Sequence, residues 1–344
     1  MKPVNFLRRT IVLLLCALIL ANGPASAALA ETQSSQQAVK TTITGSWPDI
    51  RITKVKVVAN KKIRIDWKKS KDADGYVLFQ KVNGKWKKKQ FFNTNTITHF
   101  YVGGIKKNKK YTFNVVPAKI NESDKFVWPA GGTGSKKTVK LKKVTVAMKK
   151  GNYKRGSVYG PRLTTKKLKQ VKKAVQKFND KYITTDMSAL EKVIVAQAYM
   201  NKYCTYAATW AKNGANTAWG SLVYKNKKGI HEAQCSGYAR GFKALMDSVG
   251  VPCKYIHANK KSYNPSHQWT IVKLSGKWYV LDPQLNSSSG EIYIYGRRSY
   301  MGSFGMKWNN SSKVTANDFP YEKIYRTAYN SISVQLALYK MSKE

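Results

Sequence analysis

The residue of this sequence with the clearest capacity for covalent chemistry is Cys235, in the stretch EAQCSGYARGF. From Cys235 onward, apolar residues recur at helical spacing until Gly250, which predicts a helix that begins at or near the cysteine. The free N–H groups and the dipole at a helix N-terminus favour an anion, and therefore the thiolate form of a cysteine placed there. Because many inert cysteines also begin helices, a nucleophile requires partners elsewhere in the chain.

A histidine and a carboxylate that could serve as those partners occur on one predicted hairpin. The chain has four histidines, and His267 opens the strand-like run HQWTIVKL. Ser275-Gly276 follows as a two-residue turn, and the run KWYVLD ends at Asp282. Such a turn sets Trp269 opposite Asp282, so that His267 and Asp282 become diagonal neighbours on one face. This geometry supplies a carboxylate that holds one imidazole nitrogen while the other nitrogen faces the cysteine.

These motifs resemble, in type and in order, the core of the transglutaminase-like superfamily. QCSGYARGFKALMDSVGVPCKY is similar to its Cys-x-Gly-Tyr-Ala helix start, and HQWTIVKLSGKWYVLDP to its His-x-Trp and Gly-x-Trp-Tyr-x-x-Asp strands. The resemblance covers residues 160–285 and implies an α+β papain-like domain without a cofactor or a metal ion. It implies Cys235 as the nucleophile, His267 as the general base and acid, and Asp282 as the orienting carboxylate.

The chain departs from its relatives beside the cysteine, where they often carry an acidic residue and this chain has Gln234 and Ser236. The donor that would stabilise an oxyanion stays open: the backbone N–H of Cys235 is one candidate and Trp219 is another.

Three other interpretations of the same residues remain open. His231 with Cys235, and Cys253 with His257, could form two pairs of zinc ligands, although the spacing fits no common zinc signature. Cys-Ser-Gly also occurs within the Asp-Cys-Ser-Gly motif of wall-peptide endopeptidases, but this chain lacks the aspartate. The third interpretation is an inactive domain that serves as a basic wall-binding or adhesive protein.

Two helices are predicted ahead of the cysteine. The first has one apolar face, formed by Leu168, Val171, Val175, Phe178 and Tyr182, and lysines cover its other faces. Those lysines predict a solvated surface or, alternatively, a stripe that binds a polymer. Ser188 and Glu191 form a capping box ahead of the second helix.

Residues 47–145 show the pattern of an all-β sandwich, with short alternating strands and an Asn83-Gly84 hairpin turn. Trp67, the stretch DADGY and the stretch GGIKKNKKYTFNVVPA resemble a fibronectin type III domain, in which Tyr111 would fill the tyrosine corner. We therefore expect a multi-domain chain, with this sandwich followed by a catalytic domain over residues 146–344.

The N-terminus predicts export. Residues 1–30 combine a basic start, an eleven-residue apolar run and small residues typical of a signal-peptide cleavage site, and residues 31–46 are predicted to be a linker. No later segment resembles a membrane span, so we expect a secreted or surface-associated monomer. Cleavage would leave an odd number of cysteines, which fits either a disulfide between Cys204 and Cys253 or two inert buried thiols.

The net charge of +45 at pH 7 predicts an anionic neighbour. Lysine heavily outnumbers arginine, which favours diffuse attraction over specific recognition of nucleic-acid bases. For an exported protein we expect an anionic cell-wall polymer as a partner and a protein or peptide as the substrate. The triad predicts attack on an amide bond, and leaves open whether water or an amine resolves the thioester.

Overall fold

The computed structural model describes residues 46–59, 62–106, 109–140, 151–207, 214–309, 311, 314, 319–320 and 324–344. The chain divides into two compact units, residues 1–145 and 146–344. The predicted signal peptide, and all of the predicted linker except its last residue, lie outside the described residues. Within the described part, no helix has both the length and the apolar character needed to cross a bilayer.

The described residues of the first unit form the strands β1 (Ile52–Ala59), β2 (Lys62–Trp67), β3 (Gly75–Val82), β4 (Lys85–Phe92), β5 (His99–Val102), β6 (Lys110–Ile120), β7 (Phe126–Val127) and β8 (Lys136–Lys140). These strands build two antiparallel sheets. One has the strand order β1-β2-β5, and the other has the order β4-β3-β6-β7, with β8 also pairing with β6. The sheet-rich architecture predicted for this part of the sequence is confirmed.

Three details of the first unit follow from its sequence. Trp67 is buried in the core, where its ring packs against Tyr76 at 5.6 Å. Asn83 and Gly84 both have positive φ, as a two-residue hairpin turn between β3 and β4 requires. The Tyr111 hydroxyl accepts a hydrogen bond from the backbone N–H five residues upstream, at 2.7 Å, which is the tyrosine corner that the resemblance predicts.

The second unit is of the α+β type. Its helices are α1 (Thr165–Tyr182), α2 (Ala189–Tyr203), α3 (Ala218–Leu222), α4 (Cys235–Val249), α5 (Pro283–Ser289), α6 (Arg297–Phe304), α7 (Arg326–Tyr329) and α8 (Ile332–Ser342). Strands β9 (Cys204–Tyr206) and β10 (His231–Ala233) pair in parallel. Strands β11 (Cys253–His257), β12 (Gln268–Leu274) and β13 (Lys277–Leu281) form an antiparallel sheet in that order.

The two helices ahead of the cysteine form as the sequence predicts. The five apolar residues predicted to share one face of α1 are all buried. At the start of α2, the Ser188 hydroxyl accepts the Glu191 N–H and the Glu191 carboxylate accepts the Ser188 N–H, so the predicted capping box is present.

Helix α4 begins at Cys235 and ends at Gly250, whose φ of 75° closes it in the left-handed conformation. Its apolar residues pack on β11 and β12 and against four neighbouring helices. The first turn is tied to α3 and to the segment before it: the Gln234 N–H donates to the Ala215 carbonyl at 2.9 Å, and the hydroxyl of Ser221, on α3, donates to the Gly237 carbonyl at 2.9 Å. These bonds fix the position of the first turn of α4 and therefore the position of Cys235.

The hairpin of β12 and β13 has the predicted register. Leu274 pairs with Lys277 across the turn, and Ile271 pairs with Val280. Ser275 and Gly276 have φ values of 47° and 84°, so the turn contains two residues, as predicted. His267 therefore lies one residue before β12, and Asp282 one residue after β13, at the same end of the hairpin.

Candidate active site

His267 and Asp282 are in direct contact. The imidazole Nε2 lies 2.6 Å from the Asp282 Oδ2, and both residues are buried, with 8% and 1% of their surface exposed. Trp269 stacks against the imidazole with ring centroids 5.7 Å apart, and Trp269 itself is fully buried. The imidazole is thus held at its edge by a carboxylate and on its face by an indole.

The other partner of His267 is the Cys235 thiol. Burial lowers the pKa of His267, but hydrogen bonds to Asp282 and Cys235, together with their charges, outweigh burial and raise the pKa from 6.5 to about 10. Since Nε2 faces Asp282, Nδ1 is the nitrogen left for the thiol. An imidazolium that persists through neutral pH is the cation that stabilises a thiolate.

This pairing has a defined pH dependence. Because the pKa of His267 is raised in the folded state, its contribution to stability is fully present below pH 6.5 and is lost as the pH rises through about 10. The imidazolium form is therefore available across the whole neutral range.

The Asp282 carboxylate accepts two further hydrogen bonds. Its Oδ1 accepts the Leu285 N–H at 3.1 Å, which makes Asp282 the N-cap of α5. Its Oδ2 also accepts the hydroxyl of Tyr300 at 2.7 Å. Tyr300 lies on α6 and is fully buried, and burial raises its pKa well above the ordinary value, so it remains a neutral donor. Three donors fix the carboxylate that holds the imidazole.

Tyr300 is the site residue that sequence reasoning missed. In the run IYIYGRRSY, Tyr295 extends the sheet by forming a bridge with Val280. Tyr300 does not, because the chain turns into α6 at Arg297 and carries the Tyr300 hydroxyl back to Asp282.

Replacing Tyr300 by phenylalanine is expected to raise the pKa of His267 further, because the shared Oδ2 would lose a competing donor. It should also destabilise the second unit by about 1.5–3 kcal/mol, the range for a buried hydrogen bond to a charged group. NMR titration of His267 and calorimetry would measure the two effects.

The control is Tyr295→Phe. Tyr295 packs against Tyr300 at 5.5 Å, and its hydroxyl makes no hydrogen bond with any residue that the structure describes. The control should leave the His267 titration unchanged. An unchanged titration in Tyr300→Phe as well would mean that Tyr300 only packs.

The thiol of Cys235 is half-buried and lies among aromatic side chains. Burial raises the pKa values of Tyr206 and Tyr255, and the nearby Cys235 adds to both rises. The Arg240 guanidinium opposes the rise in the pKa of Tyr255. Tyr206 is 52% exposed and pairs with Ala233, two residues before the cysteine. Tyr255 lies under the Arg240 guanidinium, 4.9 Å from its ring centroid. Both tyrosine side chains therefore lie near the Cys235 thiol.

The two candidates for the oxyanion donor differ in whether their N–H group already has a hydrogen-bond partner. The Trp219 indole N–H donates to the Gln170 side chain at 2.8 Å, so it is engaged on α1. The backbone N–H of Cys235, at the first position of α4, makes no hydrogen bond within the described part of the chain. The buried Gln234 side chain, next to it, is likewise without a hydrogen-bond partner there.

The remaining cysteines are free thiols in the described structure, and no disulfide joins Cys204 to Cys253. Both are buried, and burial raises the pKa of each to about 12. His231 is also buried, which lowers its pKa, and its Nδ1 faces the Tyr224 carbonyl. Among the described residues, no group of three or more metal-ligating side chains is arranged to hold a metal ion.

Comparison with protein families matches residues 176–283 to the model of the transglutaminase-like superfamily. This range contains Cys235, His267 and Asp282, and the resemblance read from the sequence is confirmed over it. The search of curated proteins finds no match to this chain.

Among solved structures, this chain is similar to fibronectin type III domains. One is that of the human collagen alpha-1(XX) chain, with 16% identity, 31% of this chain and 91% of that chain covered, and a TM-score of 0.21. Another is that of human contactin 1, with 14% identity, 33% and 96% covered, and a TM-score of 0.20. The two-sheet strand order of the first unit and the hydrogen bond of the Tyr111 hydroxyl are observed independently of these comparisons.

Proposed function

We propose that this protein is an exported thiol enzyme that acts on amide bonds of proteins or peptides. The observation that carries the proposal is the chain of contacts from Cys235 through His267 to Asp282. A nucleophilic cysteine requires a base beside the thiol and a group that orients the base, and it benefits from a helix N-terminus. Cys235 has all three.

The geometry supports a two-step reaction. The Cys235 thiolate attacks the amide carbonyl carbon, and the oxyanion is stabilised by the Cys235 N–H with the neighbouring Gln234 amide. The C–N bond then breaks, His267 gives its proton to the leaving amine, and a thioester remains on Cys235. In the second step His267 takes a proton from water or from an amine as that nucleophile attacks the thioester, and the thiolate is restored.

The identity of the second nucleophile decides the activity. Water gives a carboxylic acid and makes the protein a peptidase or amidase, whereas a lysine amine gives a new amide bond and makes it a transglutaminase. Export rests on the signal-peptide pattern of residues 1–30, and an envelope or extracellular location is part of the proposal.

Mass spectrometry of a glutamine-containing peptide, incubated with the protein with and without a primary amine, tests the proposal. A peptide that gains the amine identifies a transglutaminase, and a peptide that loses its amide or is cut identifies a hydrolase. Cys235→Ser serves as the control and should leave the peptide unchanged. Failure of all modification by the wild-type protein, across a panel that includes wall peptides, would favour the non-catalytic basic binding protein instead.

A further inference from the structure

A groove runs along one side of α1, away from the candidate active site's side chains. Two cavities, of about 700 and 410 Å³, open along this helix. Both are lined by Gln170 and Lys173, so they join into one groove. The larger cavity is bounded on its far wall by residues of α2 and of the segment after α3, including Lys225.

Lysines of α1 line the whole length of this groove. They recur every three or four residues and therefore share one helix face, as Lys166, Lys169, Lys173, Lys177 and Lys181. Fifteen residues separate the first from the last, which corresponds to about 22 Å along the helix axis. The first four are exposed and form no ion pair or hydrogen bond through their side chains with other described residues.

The carboxylates at the groove do not neutralise this stripe. Asp180 and Glu344 line the larger cavity, and both already have partners. The Asp180 carboxylate accepts a hydrogen bond from Gln176, and the Glu344 carboxylate pairs with Lys181 and accepts the Tyr182 hydroxyl. An excess of positive charge therefore remains along the groove, with Lys225 adding to it from the opposite wall.

We propose that this groove binds an extended polyanion, and specifically a polyol-phosphate chain laid along α1. The length of the stripe exceeds what a single small anion needs, and its regular spacing suits a chain with repeated charges. Lysine is a point charge that donates hydrogen bonds to phosphate oxygens from many directions, without the planar geometry that arginine imposes.

The aromatic residues at the wide end of the groove argue against a nucleic acid as the ligand. Single-stranded nucleic acids bind by stacking their bases on open aromatic faces. Here the rings pack against one another, with Tyr199 tilted against Tyr203 at 4.8 Å and edge-to-face with Phe178 at 5.1 Å. Their faces are used within the cluster, so the groove offers charge without stacking.

The groove is independent of the proposed thiol chemistry, because none of its lining residues belongs to the Cys235, His267 and Asp282 contacts. Its function would be to retain the protein on a phosphate-rich polymer while the active site remains open to substrate.

The test measures binding of a synthetic glycerol-phosphate oligomer to the full chain as a function of salt concentration. The groove variant carries Lys→Glu at positions 166, 169, 173 and 177. The control variant has the same change of net charge on exposed lysines elsewhere in the second unit, at positions 227, 228, 260 and 261. A Lys→Gln version of the groove variant removes charge without reversing it, and circular dichroism checks that each variant folds.

We expect the groove variant to bind at least about tenfold more weakly at 0.15 M salt. The slope of log K against log salt should fall in magnitude by about 3, since the four lost phosphate contacts contribute about 0.7 each. The control should keep most of the affinity. Equal losses in the groove and control variants would overturn the proposal in favour of diffuse attraction. Tighter binding of a single-stranded oligonucleotide of equal charge would overturn the choice of a polyol-phosphate.

Discussion

Asp282→Asn is expected to lower the rate of acyl transfer by about 10³- to 10⁴-fold, the loss seen when the orienting aspartate of a catalytic triad becomes an amide. The carboxylate is the main group that raises the pKa of His267, through its hydrogen bond and its charge. An amide keeps the shape but loses the charge, and it can present an N–H to the imidazole. The pKa of His267 should therefore fall well below 10, and the thiolate should lose its cation at neutral pH.

Two measurements check this result. NMR titration of the imidazole resonances gives the pKa of His267, and the turnover of a peptide substrate gives the rate. Asp180→Asn, on α1, is the control and should change neither quantity. If Asp282→Asn kept full turnover and an unchanged His267 titration, the assignment of Asp282 as the orienting carboxylate would be wrong.

Gly237→Ala is expected to destabilise the second unit by about 3 kcal/mol or more. A Cβ at Gly237 would lie 2.0 Å from the Ala215 carbonyl oxygen and 3.0 Å from the Ala233 Cβ. Because the first contact is with backbone, no side-chain rotation relieves it. The first turn of α4 would have to move, and it would carry Cys235 with it.

Calorimetry of the full chain would measure the unfolding temperature of the second unit. This temperature should fall by about 6–12 °C in Gly237→Ala. Gly302→Ala is the matched control, since Gly302 is also helical, on α6, and has open space around its missing Cβ. Alanine there should be neutral or stabilise by up to about 1 kcal/mol. If the two substitutions had equal effects, the close approach at Gly237 would be disproved.

The positions of His267 and Asp282 could be predicted because they depend on one local rule. Ser275-Gly276 accepts positive φ at both positions, which fixes a two-residue turn and therefore the register of β12 against β13. The start of α4 could also be predicted from nearby residues, because the apolar spacing and the closing Gly250 define the helix.

The contacts of Tyr300 and Trp219 could not be predicted in the same way. Tyr300 reaches Asp282 only because a new helix begins within an aromatic run that also fits a strand. The indole of Trp219 is directed to Gln170, forty-nine residues earlier in the chain, by the packing of α3 against α1. Such contacts depend on tertiary packing, which no short-range pattern encodes.

The central claim, that Cys235 is a thiolate activated by His267, is tested most directly by the rate of its alkylation at pH 6, which requires no knowledge of the substrate. An ordinary thiol is only about 0.3% ionised at this pH. We predict that iodoacetamide labels Cys235 at least about tenfold faster than glutathione, after allowance for the weaker nucleophilicity of a stabilised thiolate. His267→Ala should remove the advantage, and the buried Cys204 and Cys253 should label far more slowly. Labelling of Cys235 no faster than glutathione would contradict the account.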